Sequence, residues 1–431
     1  MNVFNQGLMS FIKSSPTAFH AVSTASAALV KAGFARLEEC DRWDLKPLSR
    51  YYVVRNDSSL VAFVTGNKLD SCVPFRIAGA HTDSPCLKIK PEPEINRHGY
   101  FQLGVEVYGG ALLNPWFDRD LSLAGRVSYL EVKGGLASTL VDFEKPIATI
   151  PSLAIHLDRD VNTNKSVNAQ KELPAILMRV SSEEKITFKD LLKQRLLEEN
   201  PNSDIDRVLD YELSFYDCQA PALVGLQEDF ISSARLDNLL SCYVLLQSII
   251  DARPGQPSVI VLNDHEEVGS MSAEGAQGPF LISVLERICS TQENLRRALS
   301  GSLLISADNA HGVHPNYADK HDANHGPILN KGPVIKINSN QRYATNSETG
   351  AFFRHVCERE KVPYQTFVVR SDMACGSTIG PITASSLGIK TVDVGVPQFA
   401  MHSIRELAGA QDAFALYRVV KEVFQTQVLF G

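Results

Sequence analysis

Apolar and polar positions alternate along the chain in two different ways, and the change between them divides the sequence into parts. Near the start, TAFHAVSTASAALVKAGF has the spacing of an amphipathic helix that stops at Gly33. After Pro91, short stretches of alternating apolar and polar residues are separated by glycine turns, a pattern typical of antiparallel strands. From about residue 228, apolar runs of strand length again alternate with helical stretches such as LDNLLSCYVLLQSII.

The two ends of the chain therefore predict one α/β domain that is interrupted by a β-rich insert. We expect residues 1–90 and 228–431 to form the α/β domain and residues 91–227 to form the insert. Because strands alternate with helices at both ends, we expect a mostly parallel central sheet that is flanked by helices. A chain of 431 residues is too long for one ordinary core, which agrees with this division.

The composition is typical of a soluble globular protein. Apolar residues make up 44% of the chain, the net charge is −7 and no basic run stands out, so we expect no nucleic-acid or membrane partner. The beginning lacks the pattern of a signal peptide, and the apolar run LLSCYVLLQSII, with 12 residues, is too short to span a bilayer. Eight scattered cysteines without a C-x-x-C pair indicate reduced thiols in a cytoplasmic protein.

Titratable residues follow several predicted strands at the point where each strand ends. They are His81 and Asp83 after FRIAGA, Asp264 to Glu267 after VIVLN, Asp308 after LLISA, His402 after TVDVGVP, and Asp237 before a helix in ISSARLDNLLS. The carboxyl ends of strands in an open parallel sheet form the crevice where ligands bind. We therefore expect these side chains, which come from five distant segments, to meet at one place.

This mixture of imidazoles and carboxylates suits Zn²⁺ and its first-row neighbours and requires no thiolate. Two histidines with three or more carboxylates exceed what one catalytic zinc needs, and they suit two metals about 3.5–4 Å apart with a bridging carboxylate. Such a pair lowers the pKa of a shared water and polarises a carbonyl, so the remaining requirement is a general base. Of the adjacent Glu266 and Glu267, one can bind metal while the other approaches the water, because consecutive side chains point in different directions.

Each of these residues also has a plainer explanation when it is taken alone. Asp237 can cap the helix that begins at Asn238, since aspartate is a favoured N-cap. Glu266 and Glu267 can be solvated loop charges. The coincidence of five separate segments favours a metal site over these explanations.

Six motifs resemble, in order and over essentially the whole chain, the M18 family of metalloaminopeptidases, the aspartyl aminopeptidases. They are AGAHTDSPCLKIKP, SARLDNLLS, NDHEEVGS, SADNAHGVHPNY, KGPVIKINSNQRYATN and GVPQFAMHSIRE. The resemblance implies the fold of a di-zinc exopeptidase, a β-rich insert that serves as a dimerisation domain, and assembly into tetrahedral dodecamers. It implies removal of N-terminal residues, with preference for Asp or Glu, from peptides with a free N-terminus through a hydroxide bridged by two metals.

The resemblance also implies a role for individual residues. Glu266 is the implied general base, and Asp83 orients the imidazole of His81. The implied metal ligands are His81, Asp237 as the bridge, Glu267, Asp308 and His402, and the implied substrate contacts are His311, Lys336 as the cation for an acidic side chain, and Tyr343. Zinc is the expected metal, with two ions per subunit and Co²⁺ or Mn²⁺ as alternatives at one site.

His156 lies in the predicted insert, within LAIHLDRDVN. The residues around it indicate an inert histidine on a surface strand. The resemblance instead implies that it reaches the active site of a neighbouring subunit, where it contacts substrate or metal. The sequence leaves open which of the two it contacts.

Three other functions are compatible with parts of this pattern. A carboxypeptidase or deacylase of the same di-zinc type would need a cation for a free carboxylate, so Lys336 does not exclude it. A di-metal phosphoesterase is disfavoured because the chain has no Gly-Asp-x-x-Gly or Gly-Asn-His motif. A non-catalytic assembly protein is disfavoured because Glu266 and all five ligand positions are intact.

Overall fold

The computed structural model describes residues 2–69, 72–181, 186–427 and 429. The chain forms two compact units. The first comprises Met1–Ser84, Pro221–Met401 and Glu406–Gly431, and the second comprises Pro85–Ala220 and His402–Arg405. The second unit thus begins and ends several residues before the predicted insert at 91–227, and it also takes in four residues near the C-terminus.

The helices and strands are numbered in chain order. The helices are α1 Asn2–Lys13, α2 Ala18–Lys31, α3 Ala169–Glu172, α4 Phe188–Glu199, α5 Leu236–Ile250, α6 Phe280–Ile288, α7 Gln292–Ser300, α8 Ser347–Arg359, α9 Ile379–Leu387 and α10 Asp412–Gln425. The strands of the first part are β1 Ala35–Arg36, β2 Arg50–Arg55, β3 Ser59–Val64, β4 Arg76–His81, β5 Cys86–Arg97, β6 Tyr100–Tyr108, β7 Leu121–Glu131, β8 Leu136–Asp142, β9 Ala175–Arg179 and β10 Ile205–Asp217. Those that follow are β11 Ala222–Val224, β12 Phe230–Ser233, β13 Ser258–Asn263, β14 Leu303–Ala307, β15 Ala310–His311, β16 Val334–Lys336, β17 Gln365–Phe367, β18 Lys390–Gly395, β19 Pro397–Phe399 and β20 Glu406–Gly409. Short 3₁₀ helices lie at Asn114–Trp116, Glu266–Val268 and Ala318–Lys320.

A nine-stranded sheet organises the described part of the first unit, in the order β1-β2-β3-β13-β4-β14-β18-β16-β17. Its parallel pairs are β1 with β2, β13 with β4, β4 with β14, β14 with β18, and β16 with β17, and they outnumber the antiparallel ones. The central strands β4, β13 and β14 consist of buried residues throughout, as expected for strands that are covered on both faces. The predicted mostly parallel sheet is confirmed.

Successive side chains of one strand belong to different cores, because they point to opposite faces of the sheet. Ile260 and Leu262 of β13 pack in a cluster with the apolar faces of α5 and α10. Val259 and Val261 pack in another cluster with α6 and α7. The predicted cover of helices on both faces is therefore confirmed. Among the helices that the structure describes, none is both long and apolar enough to cross a membrane.

A second sheet in the first unit was not indicated by the sequence. It has five strands among the described residues, in the order β11-β12-β20-β19-β15. Each of these strands is only two to four residues long, too short to show an alternating pattern. This small sheet carries His311 at the end of β15 and Glu406 at the start of β20.

The second unit is an antiparallel sheet with helix α4 packed on its apolar face. Its order, for the residues that are described, is β8-β7-β10-β5-β6-β9, and each neighbouring pair is antiparallel. Phe188 and Leu192 of α4 pack with Leu213 and Phe215 of β10 in the core of this unit. The predicted β-rich insert is confirmed, while its role in dimerisation stays a prediction.

Candidate metal centre

Neighbouring strands of the large sheet end around His81. The parallel register of β4 and β13 pairs His81 with Asn263, so the 3₁₀ turn Glu266–Val268 begins three residues beyond that pair. Strand β14 lies on the other side of β4 and is followed at once by Asp308. Helix α5 contributes Asp237 from its first turn. These four segments place their side chains together at the carboxyl end of the sheet.

His81 lies among the carboxylates. Its Nε2 is 3.5 Å from Oδ1 of Asp237, 3.6 Å from Oδ1 of Asp308 and 4.0 Å from Oε2 of Glu266. His81 forms one group with Glu266 and Glu267 and another with Asp237 and Asp308, and the ligand atoms within each group lie within 4.8 Å of one another. His81 and Asp237 are buried, and the other three are half-buried. This donor set suits zinc, which takes histidine nitrogen and carboxylate oxygen.

Asp83 holds both the imidazole and the glutamate turn. Its carbonyl oxygen lies 3.0 Å from Nδ1 of His81, and its Oδ1 lies 3.4 Å from the same nitrogen. Its carboxylate also accepts the backbone N–H groups of Glu266, at 3.2 Å, and Glu267, at 3.1 Å. By occupying Nδ1, Asp83 directs Nε2 toward the other carboxylates, an arrangement common in metal-binding histidines. The resemblance implied that Asp83 orients His81, and that role stays a prediction. The contact of Asp83 with the glutamate turn was not predicted.

The turn that carries the two glutamates is fixed on both sides. His265 has φ 63° and Gly269 has φ 98°, so both ends lie in the left-handed region. For a histidine this backbone is uncommon and has to be held by its surroundings. The Asp264 carboxylate accepts the His265 backbone N–H at 2.8 Å, and the His265 ring meets the Ser272 hydroxyl at 2.8 Å. The side chains of Asp264 and His265, beside the glutamates, thus stabilise the turn.

The concentration of negative charge shifts the pKa values of the cluster. Burial, together with repulsion from Asp308 and other carboxylates, raises the pKa of Glu266 to about 7. Burial and repulsion from Asp237 raise the pKa of Glu267 to about 10. Burial alone would lower the pKa of His81, but hydrogen bonds to carboxylates, first of all Asp237, raise it well above its usual value. A buried group of like charges is costly without a cation, so these residues fit a divalent metal.

His402 belongs to the short segment His402–Arg405 that groups with the second unit. Its Nδ1 lies 3.2 Å from the carbonyl oxygen of Gly110, and its own carbonyl accepts the backbone N–H of Leu112 at 3.0 Å. Metal-binding histidines commonly donate one ring N–H to a backbone carbonyl while the other nitrogen binds the ion. The role of His402 as a ligand stays a prediction.

A cavity of about 280 Å³ in the first unit is lined by two of the four predicted substrate residues, His311 and Tyr343. Aromatic side chains, among them Phe367 and Phe399, form other parts of its wall. The His311 ring is exposed to the cavity, yet the surrounding protein lowers its pKa by desolvation and then through the charge of Lys336. The neutral imidazole is therefore favoured, and it can both donate and accept a hydrogen bond.

Lys336, the third predicted substrate residue, is buried at the end of β16 with 2% of its surface exposed. Its Nζ lies 3.1 Å from Oδ2 of Asp308 and donates to the carbonyl oxygen of Asn309 at 3.1 Å. The same nitrogen is 5.0 Å from the ring centroid of Tyr343. Lys336 thus joins the predicted metal ligand Asp308 to the wall of the cavity.

His156 lies in an exposed turn of the second unit. The backbone N–H of Leu157 closes this turn on the carbonyl oxygen of Ala154 at 2.8 Å. Within the part of the chain that the structure describes, His156 belongs to none of the clusters that could hold a metal. Its predicted contact with a neighbouring subunit stays a prediction.

Glu406 supports the site and was not singled out from the sequence. Its buried carboxylate accepts the backbone N–H of Asp237 at 2.9 Å. Gln398 donates to the other carboxylate oxygen at 3.3 Å, and Asn309 donates to Gln398 and to the carbonyl of Leu236, both at 2.8 Å. This network fixes the first turn of α5. Glu406 lies inside the motif GVPQFAMHSIRE, but its contact with residue 237 depends on the tertiary fold.

Residues 11–424 match the family described as aminopeptidase I zinc metalloprotease (M18). The chain is 59% identical over 424 residues to the probable M18 family aminopeptidase 2 of Ectopseudomonas mendocina (strain ymp), with 98% of each chain covered. The solved cryo-EM structure of the Ape4 and Nbr1 complex is similar with a TM-score of 0.94 and 37% identity, covering 98% of this chain and 86% of that one. The S. cerevisiae mApe1 dodecamer is similar with a TM-score of 0.86 and 27% identity, covering 99% and 98%.

The chain therefore belongs to the M18 family of zinc metallopeptidases and is an aminopeptidase. The resemblance seen in the six motifs is confirmed over the whole chain. The predicted enzyme class, a peptide hydrolase of the zinc exopeptidase type, is confirmed with it.

Proposed function

We propose that this aminopeptidase removes N-terminal Asp or Glu from peptides with a free N-terminus and works with two zinc ions. The observation that supports the proposal is that His81 and several carboxylates lie close together. Lys336 contacts one of these carboxylates and is buried next to the cavity lined by Tyr343. The proposed ligands are His81, Asp237 as the bridge, Glu267, Asp308 and His402. Co²⁺ or Mn²⁺ are alternatives at one of the two sites.

Two ions held by these residues would supply Lewis-acid chemistry, polarising the scissile carbonyl and lowering the pKa of the attacking water. Glu266 takes the proton of that water and passes it to the leaving amine. Asp83 holds the backbone N–H of Glu266 at 3.2 Å and so keeps the base in place during both transfers. The free α-amine of the peptide would bind near one of the metals and the carboxylates beside it.

We also propose that the chain is a cytoplasmic protein that assembles into a tetrahedral dodecamer, in which His156 contacts substrate or metal in the active site of a neighbouring subunit. The similar S. cerevisiae mApe1 is a dodecamer. Leu153, Ile155 and Leu157 flank His156 with exposed apolar side chains, which supports a protein contact there. No disulfide joins the cysteines of the described residues, which supports a reducing compartment. A single-chain mass in analytical ultracentrifugation would contradict the assembly.

Replacing Lys336 with methionine tests the preference for acidic residues, because the change removes the cation and keeps most of the volume. We expect kcat/KM for an aspartyl-anilide to fall about 100-fold, the cost of a buried charge-assisted hydrogen bond, while kcat/KM for a leucyl-anilide changes little. Zinc content is measured in parallel, since Lys336 also contacts Asp308. Lys320→Met, at an exposed lysine of the same cavity, is the matched control. An equal loss on both substrates would contradict an acid-binding role.

A further inference from the structure

A buried aspartate that the proposed mechanism does not use lies next to Lys336. Strands β16 and β18 are antiparallel, with Ile335 paired to Val394. Continuing this register by one residue brings Asp393 opposite Lys336, where side chains of antiparallel strands are neighbours on one face of the sheet. The exposed fraction is 0% for Asp393 and 2% for Lys336. A carboxylate at such a place is costly unless polar partners replace the lost water.

Donors from two separate segments hold the Asp393 carboxylate. Its Oδ1 accepts the hydroxyl of Thr378 at 2.6 Å, and its Oδ2 accepts the backbone N–H of Ala344 at 2.6 Å. The backbone N–H of Asp393 donates to the Thr345 hydroxyl at 2.9 Å. A Cβ at Gly380 would lie 2.4 Å from Oδ1, so the start of α9 approaches closely enough to require glycine. The surroundings are thus shaped around an acceptor-only carboxylate.

The contacts of Asp393 connect it to Tyr343 and Lys336, the residues that are proposed to recognise the substrate side chain. Ala344 directly follows Tyr343, which lines the cavity and lies over the Lys336 ammonium. Lys336 has a second carboxylate neighbour in Asp308, at 3.1 Å. Burial raises the pKa of Asp393, and the charge of Lys336 opposes that shift, so the two groups interact. The Lys336 ammonium thus contacts the Asp308 carboxylate directly and is close enough to the Asp393 carboxylate to interact with its charge.

We propose that Asp393 is a positioning residue that sets substrate specificity: its carboxylate fixes the Tyr343 wall of the cavity and offsets part of the charge of Lys336. The inference rests on the proposed role of Lys336 in binding an acidic side chain. Because the Asp393 carboxylate offsets part of the Lys336 charge, Lys336 attracts an acidic substrate less strongly than a lysine without this carboxylate would. Asp393 thereby limits the preference for acidic over neutral N-terminal residues.

Asp393→Asn separates charge from shape. The asparagine carbonyl can accept the Ala344 N–H while its amide donates to the Thr378 hydroxyl, which accepts as readily as it donates. We expect the ratio of kcat/KM for aspartyl-anilide to that for leucyl-anilide to rise about three- to tenfold, mainly through a lower KM for the acidic substrate. Zinc content should not change. A folded variant with an unchanged ratio, or with an equal loss on both substrates, would overturn the inference.

A matched control and a second variant complete the test. Asp412 is as buried as Asp393 and accepts the backbone N–H groups of Asn330, at 2.6 Å, and Gly332, at 2.8 Å, so Asp412→Asn should leave the ratio unchanged. Should Asp393→Asn not fold, Thr378→Val removes a donor to the carboxylate and favours its neutral form. That variant should also raise the ratio, and an unchanged or lower ratio would overturn the inference.

The Lys336→Met enzyme distinguishes the two ways in which the account can fail. If Lys336→Met leaves the ratio unchanged, the proposed acid pocket is wrong and the role of Asp393 falls with it. If Lys336→Met lowers the ratio while Asp393→Asn leaves it unchanged, only the inference about Asp393 is wrong. When Asp393→Asn is added to the Lys336→Met enzyme, it should not change the ratio of kcat/KM for aspartyl-anilide to that for leucyl-anilide any further.

Discussion

Glu266→Gln should lower kcat about 1,000-fold, in the middle of the range for general bases, while zinc content per chain stays the same. Glutamine keeps the shape of the side chain but cannot take a proton from the attacking water. The substitution leaves the turn intact, because Asp83 holds the backbone N–H groups of residues 266 and 267 rather than their side chains. The measurement is the turnover of aspartyl-anilide together with metal analysis by mass spectrometry.

Glu274→Gln is the matched control for this experiment. Glu274 lies on the same loop, and the contacts of this residue with Ser59 and Asn263 are made by its backbone carbonyl. Its substitution should change kcat by less than about twofold, as is usual away from special sites. A Glu266→Gln enzyme within about tenfold of the wild type would contradict the role of general base. Loss of zinc from that enzyme would instead place Glu266 among the ligands.

Asp237→Asn should release at least one of the two zinc ions and lower kcat by more than about 100-fold. A carboxylate can bridge two ions through its two oxygens, whereas an amide offers one good oxygen ligand. The backbone at this position is held by Glu406, which accepts the N–H of Asp237 at 2.9 Å, so the substitution changes the ligand rather than the first turn of α5. The measurement is bound zinc per chain after dialysis, with kcat on the same samples.

Asp412→Asn serves as the control for replacing a buried aspartate, and it should retain full zinc. Asp412 lies at the start of α10 and binds the backbone N–H groups of the segment 330–332. An Asp237→Asn enzyme with two zinc ions per chain and near-normal turnover would show that Asp237 does not bridge them.

The large sheet and the position of the cluster could be predicted from sequence because apolar runs bounded by charge mark buried parallel strands. FRIAGA, VIVLN and LLISA correspond to β4, β13 and β14, which are adjacent in the sheet. Their ends therefore bring together residues that are as far apart in the chain as His81 and Asp308. No comparable pattern marks the short strands of the five-stranded sheet, whose order depends on tertiary contacts.

The supporting contacts could not be predicted, because they join positions whose proximity depends on register. Glu406 reaches Asp237 only through the small sheet, and Asp83 reaches the glutamate turn only because β4 and β13 are parallel neighbours. The resemblance to the M18 family implied only that Lys336 is the cation for an acidic side chain. The structure buries Lys336 at the end of β16, and the register of β16 with β18, continued by one residue, brings Asp393 opposite it.

The two-zinc mechanism predicts that hydrolysis depends on bound zinc. The protein is stripped with a chelator, dialysed and titrated with zinc, and aspartyl-anilide hydrolysis is followed together with bound zinc per chain. We expect no hydrolysis by the stripped protein and full activity only when two zinc ions are bound per chain. Full activity with one zinc per chain, or undiminished hydrolysis by protein shown to contain no metal, would contradict the account.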